Sequence, residues 1–109
     1  MTFERGQLYR VDLNPARGSE QQGIARPCVI LSMSPLNAKL RQVFVVPLSS
    51  SGKTLPPLVV AVPSAGVDSV ALCHQGRTID KVRMGKLMGE LSAADLATVE
   101  ASVRQYLGL

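Results

Sequence analysis

Through its first eighty residues the chain alternates short apolar runs with polar, glycine and proline punctuation, and it closes on one helical period. Leu8, Val11 and Leu13 set against Arg10 and Asp12 predict a half-buried strand over residues 8–13, stopped by Asn14-Pro15. Residues 28–32 form a continuous, β-branched run expected of a central strand. Residues 43–48 predict a third strand, whose Pro47 puts its end near a sheet edge. A fourth run covers 58–62 and ends at Pro63, a fifth covers 69–74, and a sixth covers 77–80, with Gly76 as a bend or bulge between the last two. Residues 35–40 suit a helical turn. Met84, Leu87 and Met88 fall outside these elements and read as an adaptable apolar patch for a second copy or a partner peptide.

The C-terminal segment carries the clearest local signal. Ser92 suits an N-cap, Asp95 stands where a capping-box acid belongs, and Leu91 and Leu96 have staple spacing. Leu96, Val99, Val103 and Leu107 share one face, and Gly108 follows the last turn. An amphipathic helix must cover a sheet. Five or six short strands plus this helix imply an α+β fold, a small antiparallel barrel-like sheet with a helical cover, as a single domain over residues 1–109.

Composition narrows the functional classes. With 46% hydrophobic and 18% charged residues, 109 residues make one folded core rather than a disordered chain. A net charge of +4 favours an anionic partner, yet no block of like charges suggests a coating tail. Cys28, Cys73 and the single His74 lack metal-site spacing, and both thiols sit in apolar runs. No leader-like run opens the chain, and the longest apolar stretch, residues 55–63 with three prolines, is too short to span a bilayer, so the reducing cytoplasm is the expected location. Gly52-Lys53-Thr54 is not a phosphate-binding loop, because Pro47 stands where the motif's first glycine belongs and Pro56-Pro57 forbids the helix that should follow. Residues 49–57 have loop composition and are expected to be mobile.

The stretch that concentrates chemistry is residues 18–27, Gly18-Ser19-Glu20-Gln21-Gln22-Gly23-Ile24-Ala25-Arg26-Pro27. Its glycines permit tight backbone geometry, and Pro27 biases Arg26 towards an extended conformation. A cation held at the mouth of a strand suits phosphate. A plain solvated connection is the alternative that the residues alone leave open.

Five segments in order, Arg5-Gly6, Asp12-Leu13-Asn14-Pro15, the Gly18–Gly23 loop with Arg26-Pro27, Val46-Pro47-Leu48-Ser49, and Gln75-Gly76-Arg77-Thr78-Ile79-Asp80-Lys81, make the chain similar to the MazF/PemK (Kid) family of toxin endoribonucleases over nearly its whole length. The resemblance implies an SH3-like barrel of the CcdB/MazF/PemK type. It also implies a homodimer that cuts single-stranded RNA at short sequences without metal or cofactor. A cognate antitoxin with a disordered tail would hold it inactive, and operator DNA would be bound only together with that antitoxin. The implied reaction is attack of a ribose 2′-hydroxyl on the adjacent phosphorus, leaving a 2′,3′-cyclic phosphate and a 5′-hydroxyl.

Carried over by position, Arg26 stabilises the transition state and is a candidate donor to the leaving oxygen, while Ser49, where the family usually has threonine, bonds the scissile phosphate. Glu20 and Gln21 orient Arg26 and the RNA, and Gln75 is a base reader. Leu72 and His74 occupy the places where the PemK/Kid branch pairs an arginine with an acid, so that pair does not transfer. His74 is therefore a substitute acid or base, or else a side chain that contacts RNA or a second copy without moving a proton. Two other functions compete: a CcdB-like poison of DNA gyrase, disfavoured because those relatives lack the Gly-Ser-Glu-Gln and Arg-Pro loop present here and because this C-terminus has no tryptophan, and a catalytically inactive RNA-binding barrel.

Overall fold

The computed structural model describes residues 2–13 and 25–109; the Gly18–Gly23 loop, with Glu20 and Gln21, lies outside the described residues. Strands β1 (Gln7–Val11), β2 (Arg26–Ile30), β3 (Gln42–Ser49), β4 (Val59–Ala61), β5 (Val70–Leu72), β6 (Arg77–Asp80) and β7 (Met84–Glu90) form one antiparallel sheet. Its order is β4-β5-β3-β2-β1-β7, with β6 also on β3. Helix α1 (Ser34–Lys39) joins β2 to β3, and α2 (Ala93–Leu107) closes the chain. The fold is the α+β, barrel-like sheet with a helical cover that the hydrophobic pattern implies.

β3 is the axis. β2 lies along one edge, with Cys28 opposite Pro47 and Ile30 opposite Val45, while β6 and β5 share the other edge in succession. Leu31 donates its N–H to the Phe44 carbonyl at 2.9 Å, so even-numbered residues of β3 turn their amides towards β2. The nitrogen of Pro47 therefore faces the opposite edge, in the gap between the end of β6 pairing at Val45 and the start of β5 pairing at Leu48. The missing N–H costs nothing there. This corrects the expectation of a nearby sheet edge: Pro47 sits in the central strand, at a change of partner.

That gap is filled by a 3-10 turn over Cys73–Gln75. The fifth strand thus ends at Leu72 and not at residue 74, and His74 leaves the sheet. Gly76 follows because a Cβ there would stand 2.5 Å from Phe44 Cζ. The second strand starts earlier than its apolar run, so Arg26 is a strand residue and not part of a connection.

β7 has no counterpart among the expected strands. Its register against β1 shifts twice, between Leu8 and Tyr9 and between Tyr9 and Val11, and such bulges erase period-two alternation. Gly85 belongs to this distortion, since a Cβ there would meet the Arg10 carbonyl oxygen at 2.9 Å.

Both faces of the sheet carry a core. Leu8, Val29, Val46 and Leu48 pack with Val60, Val62, Leu91 and Val99 on one face, under α2. Tyr9, Val11, Cys28, Ile30, Val45 and Ile79 pack on the other, bordered by Phe3, Leu13 and Met84. Ser92 caps α2 by accepting the Asp95 N–H at 3.1 Å, and Gly108 ends it at φ 74°. Asp95 does not complete a capping box: its carboxylate accepts the Ser64 N–H at 2.8 Å, and Ser64 Oγ accepts the Ser92 N–H at 3.0 Å. The first turn of α2 is thereby tied to the segment after β4. Residues 49–57 are held at two points, by Gly52 N–H to the Asp68 carbonyl and Leu55 N–H to the Val59 carbonyl.

Candidate nucleic-acid site

Arg26 opens β2 opposite Val11, and Ser49 ends β3 opposite Val70. The Cys28–Pro47 pair lies two residues inward on each strand. Continuing that antiparallel register past its last pair sets Arg26 and Ser49 across from each other where the two strands end. Both line a groove of about 380 Å³, together with Arg10 of β1, Ala25, Pro27, Leu48 and Ser50, and with Ala65, Ser69 and Met88 from across the seam. Half-buried guanidinium and hydroxyl groups thus share a concave surface of largely apolar floor.

The buried Cys28 thiol lies on the same face beneath Arg26. Burial pushes it up to about 12, while Arg26 and Arg77 pull in the opposite direction. Arg77, opposite Val45, therefore contributes its positive field to this end of the sheet. It does not pair with Asp80, whose carboxylate instead accepts the Val82 N–H at 2.9 Å. Among the described residues the ion pair formed is Arg5 with Glu100, on the far side, so none ties Arg10, Arg26 or Arg77 to a carboxylate. Guanidiniums that have no carboxylate partner among the described residues suit a polyanion.

His74 and Gln75 are placed elsewhere. His74 Nδ1 lies 3.4 Å from the Leu58 carbonyl oxygen, its ring meets Tyr106 edge-on at 6.3 Å, and it lines a small recess with Phe44, Cys73 and Val103. Gln75 is exposed, with Nε2 3.5 Å from His74 Nε2. The structure brings Arg26 and Ser49 together and leaves His74 and Gln75 outside their groove. Among the described residues no three His, Cys, Asp or Glu side chains converge to hold a metal, and no helix is long and apolar enough to cross a membrane.

Arg10 is the groove residue that the sequence pattern hid. As a polar position in an alternating strand it reads as solvent-facing. Its signal was its placement beside Leu8, because a strand with cores on both faces exposes a cation only where a core opens.

The chain matches the family model described as PemK-like, MazF-like toxin of type II toxin-antitoxin system over residues 4–107. It is 33% identical over 116 residues to Endoribonuclease MazF9 of Mycobacterium tuberculosis, covering 98% of each chain. Among solved structures, MazF from Deinococcus radiodurans superposes with a TM-score of 0.85 at 29% identity, covering 100% of this chain and 99% of that one. A MazE-MazF structure from the same organism gives 0.82 at 26% identity, with the same coverage.

Proposed function

The chain belongs to the PemK-like, MazF-like toxins of type II toxin-antitoxin systems, and from that membership we propose that it is an endoribonuclease cutting single-stranded RNA with Arg26 and Ser49 at the reacting phosphate. The observation that carries this is the sharing of one groove by Arg26 and Ser49, neighbours across β2 and β3. The ribose 2′-oxygen attacks phosphorus and loses its proton. The bond to the 5′-oxygen breaks, and that oxygen takes up a proton. The products are a 2′,3′-cyclic phosphate and a 5′-hydroxyl.

The phosphorane formed on the way carries extra negative charge on its non-bridging oxygens. A planar guanidinium stays charged through this step and bonds two oxygens at once, which suits Arg26. The Ser49 hydroxyl donates one hydrogen bond to the same phosphate, with looser positioning than threonine would give, because it lacks the methyl that restricts χ1. Glu20 and Gln21 belong to the adjoining loop and are assigned to orienting Arg26 and the RNA. Gln75, exposed on its turn, is assigned to a base outside this groove. His74 is assigned no proton transfer, since its ring is engaged by Leu58 and Tyr106.

An antitoxin partner follows from the family, and the likeness to a MazE-MazF structure supports it; its extended, disordered tail is assigned to this groove. A homodimer is the working form. Its contact surface is supplied by exposed apolar residues such as Leu87, Tyr106 and Leu107. Operator DNA is bound only by the toxin and antitoxin together, in the cytoplasm.

The test is incubation of the purified protein with a long RNA in EDTA, followed by mapping of the new ends. Cuts at one short motif with 5′-hydroxyl ends, lost in Arg26→Ala, are the expected result. Intact RNA, or cuts that survive Arg26→Ala, would overturn the assignment.

A further inference from the structure

RNA read as a single strand offers unstacked bases, which proteins receive on flat side chains. This chain has two Phe, two Tyr and no Trp. All four aromatics are committed away from the groove. Phe3 and Tyr9 pack on each other at 5.1 Å, and Tyr9 is 1% exposed. Phe44 packs against the core under α2, and Tyr106 packs on His74. None of them lines the groove that holds Arg26 and Ser49.

Apart from Arg26, assigned to the phosphate, one other planar group among the described residues does. Arg10 of β1, opposite Pro27 and on the Leu8 face, also lines the groove, exposed, with Nη1 3.3 Å from the Ala25 carbonyl oxygen. That bond holds one edge of its fork against the groove wall. Leu8, Leu48 and Met88 give the space an apolar lining, with Ser50 and Ser69 as hydroxyls within it. A guanidinium plane over apolar walls accepts the face of a base, and hydroxyls at the rim reach the base edge.

We propose that Arg10 is the platform for the RNA base next to the scissile phosphate, and so sets which base is accepted there. This rests on the ribonuclease reading above. A phosphate contact by Arg10 is the competing role, and charge separates the two. Lysine keeps the charge and loses the plane.

The experiment compares wild type, Arg10→Ala and Arg10→Lys on one long RNA, scoring the rate at every cut site by end mapping, with thermal melts confirming the fold. The expected result is a fall of about 10- to 100-fold at the preferred motif in both variants, with relaxed choice at one flanking base. An equal loss at all sites that Arg10→Lys restores would overturn the proposal in favour of a phosphate contact. Unchanged cutting in both variants would overturn it as well. Failure of the ribonuclease reading itself shows in a different lane, as wild-type protein that leaves the RNA whole.

Discussion

Arg26 and Cys28 point to one face of β2, two residues apart, and the pair gives the site a chemical signature besides activity. Burial pushes the Cys28 thiol up to about 12 and that of Cys73 to about 11, from an ordinary value of 9.0. Both thiols therefore stay protonated at pH 8. Iodoacetamide should label neither in native protein at pH 8, and both after denaturation; rapid native labelling would contradict the described burial. The same shifts fix a sign for stability. Above pH 9 the unfolded chain loses thiol protons that the folded chain keeps, so these groups stabilise the fold fully below that pH. Their contribution is lost as pH rises through about 11 and 12. His74 supplies a second test at this scale. With its ring held by Leu58 and Tyr106, His74→Gln should change the cleavage rate by no more than a few-fold and leave the pH profile unaltered. A loss of roughly 10² or more with a flattened profile would return it to the mechanism.

Elements differ in how far local sequence determines them. Helix α2 is readable because its cap, apolar face and terminal glycine are all local. Replacing Ser92 with Ala removes the bond from the Asp95 N–H and should cost about 1 kcal/mol in urea unfolding. β7 is unreadable for the opposite reason, since its bulges are set by pairing with β1 and leave no period in Met84–Glu90. The meeting of Arg26 with Ser49 is of the same kind. The sequence supplies both residues, but only the register of β2 on β3 makes them neighbours. Gly76 was legible as a break, though not as a steric necessity, because the Phe44 ring that excludes a Cβ comes from another strand. Gly76→Ala forces that ring or the 3-10 turn to move and should cost about 1 to 3 kcal/mol, measured by the same unfolding experiment. A cost near zero would mean that the turn absorbs the methyl freely.

At the scale of the whole molecule, one sheet is buried on both faces, and this ties the site to global stability. The strands that bring Leu8 and Val29 to the α2 core bring Tyr9 and Cys28 to the other, so neither core can melt alone. Exposed apolar residues occur in several places, Val67 and Val82 among them, and two groups lie on regular elements. Leu87 and Met88 lie on β7, Tyr106 and Leu107 end the helix and Leu109 follows it, at 45% to 77% exposure. Surface of this kind is costly in water unless a second copy covers it. If folding and pairing are linked, unfolding converts one dimer into two chains, and mass action makes stability depend on protein concentration. Each tenfold increase in concentration should then add about 1.4 kcal/mol to the apparent stability of the dimer, seen as a rising urea midpoint by circular dichroism. Cooperative unfolding with a midpoint indifferent to concentration would instead show that each protomer folds by itself, and would separate the integrity of the Arg26 groove from assembly.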